Sequence, residues 1–218
     1  MQSYTADSIT LNSNKKDFGI NKKAGKAWLS YKNLYNLYKL GQTPFNWHKP
    51  LFEHAKKVGI SIFSSPFDEK AVDLLESLGC PAYKIASPEI SHFPLLEKVA
   101  KTGKPVILSS GVSFEKDIKL AIEHLKKKGC KKICLLKCEA NYPSNLKDSN
   151  LSSIKYLSKK FNLPVGFSDH TIGNEAALLS VILGGCIIEK HFNINKNKSL
   201  DSFFSSDQFE FKNLIRKV

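Results

Sequence analysis

The chain has 218 residues, of which 42% are hydrophobic and 24% are charged, and its formal net charge is +13. No apolar run reaches the ~18 residues needed to cross a membrane, and the first residues carry neither a basic nor an apolar signal segment, so we expect a cytoplasmic protein without a membrane partner. Lysine supplies nearly all the positive charge. Since Arg216 is the single arginine, the usual residue for reading guanine is almost missing and we expect no nucleic-acid partner.

The first 47 residues are irregular. Residues 1–4 predict a short strand, and a long insertion over 8–44 contains a predicted helix around 34–40. The insertion is rich in aromatic residues, which predict either a lid over a site or ordinary packing: Trp28, Tyr31, Tyr35 and Tyr38.

From residue 48 onward, helical and strand-like stretches alternate without interruption. Apolar spacing predicts helices over 48–59, 67–79, 90–103, 113–129, 151–162, 174–185 and 205–218. Short apolar runs predict strands over 60–65, 82–87, 104–111, 132–140, 164–171 and 186–192. Asp68 is a predicted N-cap, Gly79 a predicted helix end, and Ser206 or Asp207 the predicted cap of the last helix.

Apolar strands separated by amphipathic helices predict an α/β fold with a parallel sheet. A doubly wound sheet would carry a glycine-rich phosphate loop after its first strand, and none is present in the sequence. Several strands end instead in polar clusters, which in a barrel converge on one site. We therefore predict a (β/α)8 TIM-type barrel that lacks its first strand and most of its second, with residues 1–218 forming a single partial domain.

Two predicted strands end on a histidine, His170 in "VGFSDHT" and His191 in "IIEKHF". One such histidine is often a core residue, but two on consecutive strands, roughly 5 Å apart, can share one divalent ion. Asp169 and Glu189 either orient the histidines or pair with lysines.

Other strand ends carry groups that suit an anion. Lys84 and Ser87 end one strand, Ser109 and Ser110 end the next, and Lys137 lies near the end of a third. A lysine on an apolar strand is costly unless it meets an anion or a carboxylate. The pattern predicts a phosphate or carboxylate pocket, with pairing to Glu89, Glu139 or Asp169 as the alternative.

The five cysteines predict reduced, structural thiols. They are Cys80, Cys130, Cys134, Cys138 and Cys186, an odd number without a secretion signal. Three of them are spaced by four residues, which suggests a metal cluster, but zinc sites usually contain tighter pairs.

Five stretches together resemble the sialic acid synthase family. They are "FSSPFDEKAVDLLESLGCPAYKIASPEI", "GKPVILSSGVS", "LLKCEANYP", "VGFSDHTIGNEAALLSVILGG" and "IEKHF". Within the family, "LYNLYKLGQTPFNWHKPLFEHAKKVGISIFSSPFD" and "LDSFFS" are most similar to its pseudaminic acid synthase branch. The resemblance implies condensation of phosphoenolpyruvate with an acetamido sugar, here a 6-deoxy diacetamido hexose, with release of phosphate. It also implies a homodimer and a divalent metal, Mn2+ first, with Mg2+ or Co2+ as alternatives.

Carried over by motif, the resemblance implies three groups of site residues. His170 and His191 correspond to metal ligands. The residues that correspond to phosphoenolpyruvate contacts, some by strand-end position, are Lys84, Ser87, Ser109, Ser110, Lys137, Ser168 and, as a further candidate, Ser65. Glu89, Tyr142 and Asp201 correspond to sugar contacts.

The resemblance also implies parts that this sequence does not contain. These are a first strand with a catalytic glutamate, a substrate-binding lysine just before Gln2, and a C-terminal antifreeze-like domain that contributes to the partner's site. We therefore expect a truncated chain that is inactive or severely impaired on its own and whose dimerisation is doubtful. The alternatives are N-acetylneuraminate or legionaminic acid synthase activity, or a non-catalytic barrel that binds metal and phosphoenolpyruvate without turnover.

Overall fold

The computed structural model describes residues 1–21, 26–194 and 199–218. The strands are β1 (Gln2–Ser3), β2 (Ser65–Pro66), β3 (Tyr83–Ile85), β4 (Val106–Ser109), β5 (Ile133–Cys138), β6 (Val165–Asp169) and β7 (Ile188–Lys190). The helices are α1 (Ala6–Ile9), α2 (Lys26–Leu29), α3 (Leu34–Gly41), α4 (Phe45–Val58), α5 (Glu69–Ser77), α6 (Phe93–Lys101), α7 (Glu115–Lys127), α8 (Ser153–Phe161), α9 (Glu175–Ile182) and α10 (Gln208–Lys217).

The strands are parallel and lie in chain order. β3 to β7 form one five-stranded sheet, and β1 pairs with β2 beside it. A parallel bridge between Ser64 and Tyr83 joins the two sheets. The result is a curled parallel sheet, a half-barrel with helices on its outer face, which confirms the α/β class and the parallel order. Among the described residues, no strand pairs β7 with β1.

The core lies between the curled sheet and its helices. Alternate strand residues point outward into it, including Ile85, Leu108, Leu135 and Phe167, all fully buried. The intervening residues point to the concave side, so that each strand carries a core face and a second face available for a site.

Helix ends follow the local chemistry that the sequence predicted. The Asp68 side chain accepts a hydrogen bond from the Ala71 amide at 2.7 Å and caps α5. Gly79 follows α5 with a φ of 71°, a conformation that favours glycine. Asp207 rather than Ser206 caps α10, because its carboxylate accepts from the amides of Phe209 and Glu210.

The predicted strands are mostly longer than the strands in the structure. The predicted strand at 60–65 is mostly irregular, since only Ser65 and Pro66 form β2. Ile62 and Phe63 are apolar because they pack against the core, not because they form a ladder. The other predicted strands are present but shorter, and the helix around 34–40 is α3. Within the described part of the chain, no helix is both long and apolar enough to span a bilayer.

Candidate active site

The two predicted histidines meet at the carboxyl edge of the sheet. His170 follows β6 and His191 follows β7, and their ring centroids are 5.4 Å apart at an interplanar angle of 69°. Nδ1 of His170 donates to the Glu139 carbonyl at 2.7 Å, which leaves Nε2 unprotonated and free to ligate. Burial lowers the pKa of His170 to about 4, so the ring is neutral at physiological pH.

Aromatic rings enclose the histidine pair. The ring centroids of Tyr142 and His170 are 4.2 Å apart, and those of Phe204 and His191 are 4.7 Å apart. Trp28 contacts Tyr142 and Phe204 and donates its Nε1–H to the Leu200 carbonyl at 2.9 Å. Burial raises the pKa of the Tyr142 hydroxyl, which therefore stays protonated. Of the aromatic insertion residues, Trp28 thus covers the site.

Tyr38 and Tyr35 both contact other residues of the N-terminal segment. The Tyr38 ring contacts Tyr4, and the Tyr35 hydroxyl donates to Asp7 at 3.1 Å. The lid interpretation therefore fits Trp28, and the packing interpretation fits Tyr35. Tyr38 packs on Tyr4 and is also close enough to Glu89 and Tyr142 to interact with them electrostatically.

Asp201 approaches the pair from the segment before α10. Its Oδ2 lies 3.4 Å from Nδ1 of His191, and its side chain is 43% exposed. An exposed carboxylate at this distance can orient the imidazole and still reach a ligand.

A buried lysine lies across the concave side from the histidines. Nζ of Lys84 on β3 lies 3.1 Å from Oε1 of Glu189 on β7. Burial raises the pKa of Glu189, but the nearby Lys84 and a hydrogen bond from Ser168 outweigh it, so the net pKa is lowered. The alternative that Lys84 pairs with a carboxylate is therefore realised, although the partner is Glu189. The ion pair holds the lysine in place beside the strand ends.

Serines and a glycine line the same edge. Ser87 Oγ accepts from the Gly111 amide at 2.8 Å, and a Cβ on Gly111 would lie 2.9 Å from that oxygen. Ser109 is buried, and Ser110 donates to the Leu136 carbonyl at 2.9 Å. Ser168 contacts Glu189 from β6. Ser65, the remaining predicted serine, is buried on β2, which adjoins β3 through the bridge between Ser64 and Tyr83.

Three buried polar atoms at this edge have no hydrogen-bond partner in the described residues: Ser109 Oγ, Glu89 Oε2 and Glu189 Oε2. Buried polar groups are usually hydrogen-bonded, so these three atoms are suited to pair with polar atoms of a ligand. Burial raises the pKa of Glu89 to about 7, so near neutrality this carboxyl can both donate and accept a hydrogen bond.

Lys137 does not join the group. It pairs in register with Phe167, whose side chain lies in the helix-facing core, and its Nζ donates to the Cys138 carbonyl at 3.0 Å. Strand alternation therefore places Lys137 on the face opposite Lys84.

The spaced cysteines do not cluster either. The Cys134 thiol faces Cys186 at 3.9 Å, whereas Cys138 lies against Ser87 and Ser168. All five cysteines are free thiols. Among residues 1–21, 26–194 and 199–218, no group of three or more His, Cys, Asp or Glu side chains is arranged to hold a metal ion.

Two contributors escaped the sequence prediction, Phe204 and Cys138. No local signal marks Phe204 as a neighbour of His191, since it reaches the ring by the fold of the chain before α10. Cys138 is the last residue of β5 and shares the concave face with Ser168 by register, which the alternation along the strand could have revealed.

Known proteins match this chain over nearly its whole length. The sequence profile of the NeuB family matches residues 1–218. The pseudaminic acid synthase of Helicobacter pylori is 45% identical over all of this chain and 63% of its own length. An N,N'-diacetyllegionaminic acid synthase of Legionella pneumophila is 35% identical over 98% of this chain and 63% of its own. The chain thus spans less than two thirds of these relatives.

Among solved structures, the N-acetylneuraminic acid synthetase of Leptospira borgpetersenii, crystallised with citrate, superimposes with a TM-score of 0.83. The two sequences are 33% identical, and the match covers 99% of this chain and 70% of that one. The curled sheet and its flanking helices are therefore the architecture of that enzyme over the matched region.

Proposed function

The chain belongs to the NeuB family, and from that premise we propose that it carries the substrate site of a nonulosonic acid synthase. The proposed reaction joins phosphoenolpyruvate to 2,4-diacetamido-2,4,6-trideoxy-altrose, as in a pseudaminic acid synthase, and releases phosphate. This is a carbon–carbon bond-forming transferase reaction that takes place in the cytoplasm. The sugar is favoured by the 45% identity to a pseudaminic acid synthase.

The observation that supports the proposal most is the convergence of an imidazole pair and a charged lysine on one edge of the sheet. His170 and His191 lie side by side, and Lys84 is held by Glu189 within the same concave face. Ser109 is on β4, between the strand of Lys84 and the strands of the two histidines. Its hydroxyl has no hydrogen-bond partner among the described residues. Phosphoenolpyruvate has a carboxylate and a phosphate, and such oxygens bind lysine and hydroxyl groups in charge-assisted hydrogen bonds.

The donor set fits a divalent metal such as Mn2+, for which Mg2+ or Co2+ could substitute. Nε2 of His170 is left unprotonated by its tautomer, and two imidazoles with open positions suit Mn, Fe, Co or Zn. Without a third protein ligand in the described residues, the remaining positions would be left to water and substrate oxygens. A bound metal would supply Lewis-acid polarisation of the sugar aldehyde.

The chain's own residues bind and orient the reactants. Lys84, Ser87, Ser109 and Ser168 hold phosphoenolpyruvate so that its methylene carbon faces the aldehyde carbon, and a bond forms between these two carbons. The electron pair of the enol C=C bond makes this bond, while the aldehyde C=O pair moves onto its oxygen and leaves C2 of the former enolpyruvate cationic. Water then adds to C2, and the C–O bond to phosphate breaks with its electron pair on phosphate, which leaves a ketone at C2. One proton of the water ends on the former aldehyde oxygen and the other on the released phosphate. Lys84 stabilises the charge that the leaving phosphate acquires.

The sugar would lie against the aromatic wall. Tyr142 and Trp28 offer apolar faces to its open carbon chain and 6-deoxy carbon, while Asp201 and Glu89 offer hydrogen bonds to hydroxyl or acetamido groups. Glu89 is suited to either direction of bonding by its raised pKa. Lys137, Ser65 and Ser110 remain predictions. Lys137 lies on the opposite face, and the Ser110 hydroxyl lies at this edge but already donates to the Leu136 carbonyl.

Two alternatives deserve the same assay. The first is N-acetylneuraminate or legionaminic acid synthase activity, which the relative from Legionella pneumophila favours. The second is a barrel that binds metal and phosphoenolpyruvate without turnover.

Phosphate release from phosphoenolpyruvate, measured with Mn2+ and each of three sugars, separates these possibilities. Release with the diacetamido-trideoxy-altrose alone supports the proposal, and release with another sugar reassigns the substrate. Calorimetric binding of phosphoenolpyruvate without release favours the non-catalytic barrel. A chain that neither binds phosphoenolpyruvate nor releases phosphate contradicts the proposal.

A further inference from the structure

An ion pair lies directly behind the two histidines. Asp169 is the last residue of β6, Lys190 is the last residue of β7, and the two are paired in register. Each immediately precedes a histidine, Asp169 before His170 and Lys190 before His191. Phe167, two residues before Asp169, points into the helix-side core. By alternation, the pair therefore occupies the face opposite the imidazoles and cannot contact a ligand between them.

The pair is sealed from water, and its hydrogen bonds are made. Nζ of Lys190 lies 2.7 Å from Oδ2 of Asp169, with side chains 1% and 0% exposed. The same Nζ donates to the Thr171 carbonyl at 2.9 Å. Oδ1 of Asp169 accepts from the Thr171 amide at 2.9 Å and from its hydroxyl at 2.8 Å. His170 thus lies in a turn whose preceding and following residues are both bonded to one ammonium group.

Stability alone is a weak reason for such a pair. Desolvation of two buried charges offsets most of their attraction, and apolar side chains of similar volume are often as stabilising. The hydrogen bonds do, however, fix β6 relative to β7 at the point where both histidines leave the sheet. A small slip between these strands would change the 5.4 Å separation of the rings.

We propose that Asp169 and Lys190 are positioning residues that hold the two imidazoles at the spacing one divalent cation requires. The inference rests on the proposed function, because it takes His170 and His191 as the cation's ligands. Neither residue of the pair acts on substrate.

The test replaces the pair by apolar residues, Asp169→Leu together with Lys190→Met, and titrates the protein with Mn2+ alone while free Mn2+ is followed by electron paramagnetic resonance. We expect a circular dichroism spectrum like that of the wild type and a dissociation constant for Mn2+ raised about 10- to 100-fold, the usual effect of losing an outer-shell partner. The matched control is Lys104→Met. It breaks the Lys104–Glu76 pair at the amino end of β4 and should leave Mn2+ binding unchanged.

Thr171→Val serves if the double variant does not fold. It removes the hydroxyl bond to Asp169 and keeps the amide bond, so we expect binding about two- to tenfold weaker, the effect of one hydrogen bond.

The outcomes separate this inference from the function on which it rests. Wild-type chain that binds no Mn2+ overturns both. If the wild type binds Mn2+ and His170→Ala loses it, then unchanged binding by a folded double variant, or by Thr171→Val, overturns the positioning role alone.

Discussion

Replacing Glu89 by glutamine should stabilise the folded chain at alkaline pH and leave its stability unchanged at acidic pH. Burial raises the pKa of this carboxyl from 4.5 to about 7. Below the unfolded-state pKa, the carboxyl is protonated in both states and contributes no pH dependence. Between the two values, the folded state binds the proton that the unfolded state has released, so stability falls as pH rises.

The magnitude follows from the size of the shift. A difference of roughly 2.5 units at about 1.4 kcal/mol per unit makes ionised Glu89 cost about 3 kcal/mol above pH 7. Glu89→Gln removes that cost. We therefore expect the variant to be more stable than the wild type by up to about 3 kcal/mol at pH 8, and equal to it at pH 4.5.

Urea denaturation at both pH values measures the difference. Glu123→Gln is the control, since Glu123 is 59% exposed on α7 and its loss should change stability equally at both pH values. A Glu89→Gln variant that is no more stable than the wild type at pH 8 would refute the claim that burial holds this carboxyl protonated near neutrality.

Three further substitutions have defined outcomes. Gly166→Ala would bring a Cβ into steric conflict with the Ile187 carbonyl oxygen. We expect a loss of about 1–3 kcal/mol in the free energy of unfolding, and a melting temperature equal to that of the wild type would contradict the packing. Asp68→Ala removes the cap of α5 and should cost about 1 kcal/mol in urea denaturation, whereas no loss would show the cap to be dispensable. Lys84→Met leaves Glu189 without its counter-charge, and calorimetry should show phosphoenolpyruvate binding weakened at least about tenfold, the loss of a charge-assisted contact. Equal binding would remove Lys84 from the site.

Local patterns were enough to predict most of the elements. The helical spacing of the apolar residues and the capping residues predicted α5, with Asp68 before it and Gly79 after it. The apolar run at 60–65 predicted too long a strand, because an apolar segment can also pack against the core without regular structure. Strand pairing depends on partner residues that lie far away in the sequence.

The site was predictable where its chemistry lies in the strand ends. His170 and His191 come together because parallel strands share one carboxyl edge. The alternation that places Phe167 in the core also places Lys137, its partner in register, on the face opposite Lys84. The contacts of Trp28 with Leu200 and of Phe204 with His191 could not have been deduced, since they depend on how two loops pack.

The most direct test of the central claim is the stoichiometry of Mn2+ binding by the wild-type chain, His170→Ala, His191→Ala and the remote control His124→Ala. Electron paramagnetic resonance would report both the bound metal and its coupling to imidazole nitrogen. The account predicts one Mn2+ per chain with coupling to histidine nitrogen, lost in each of the first two variants and kept in His124→Ala. Binding that survives both substitutions would contradict a metal centre built on His170 and His191.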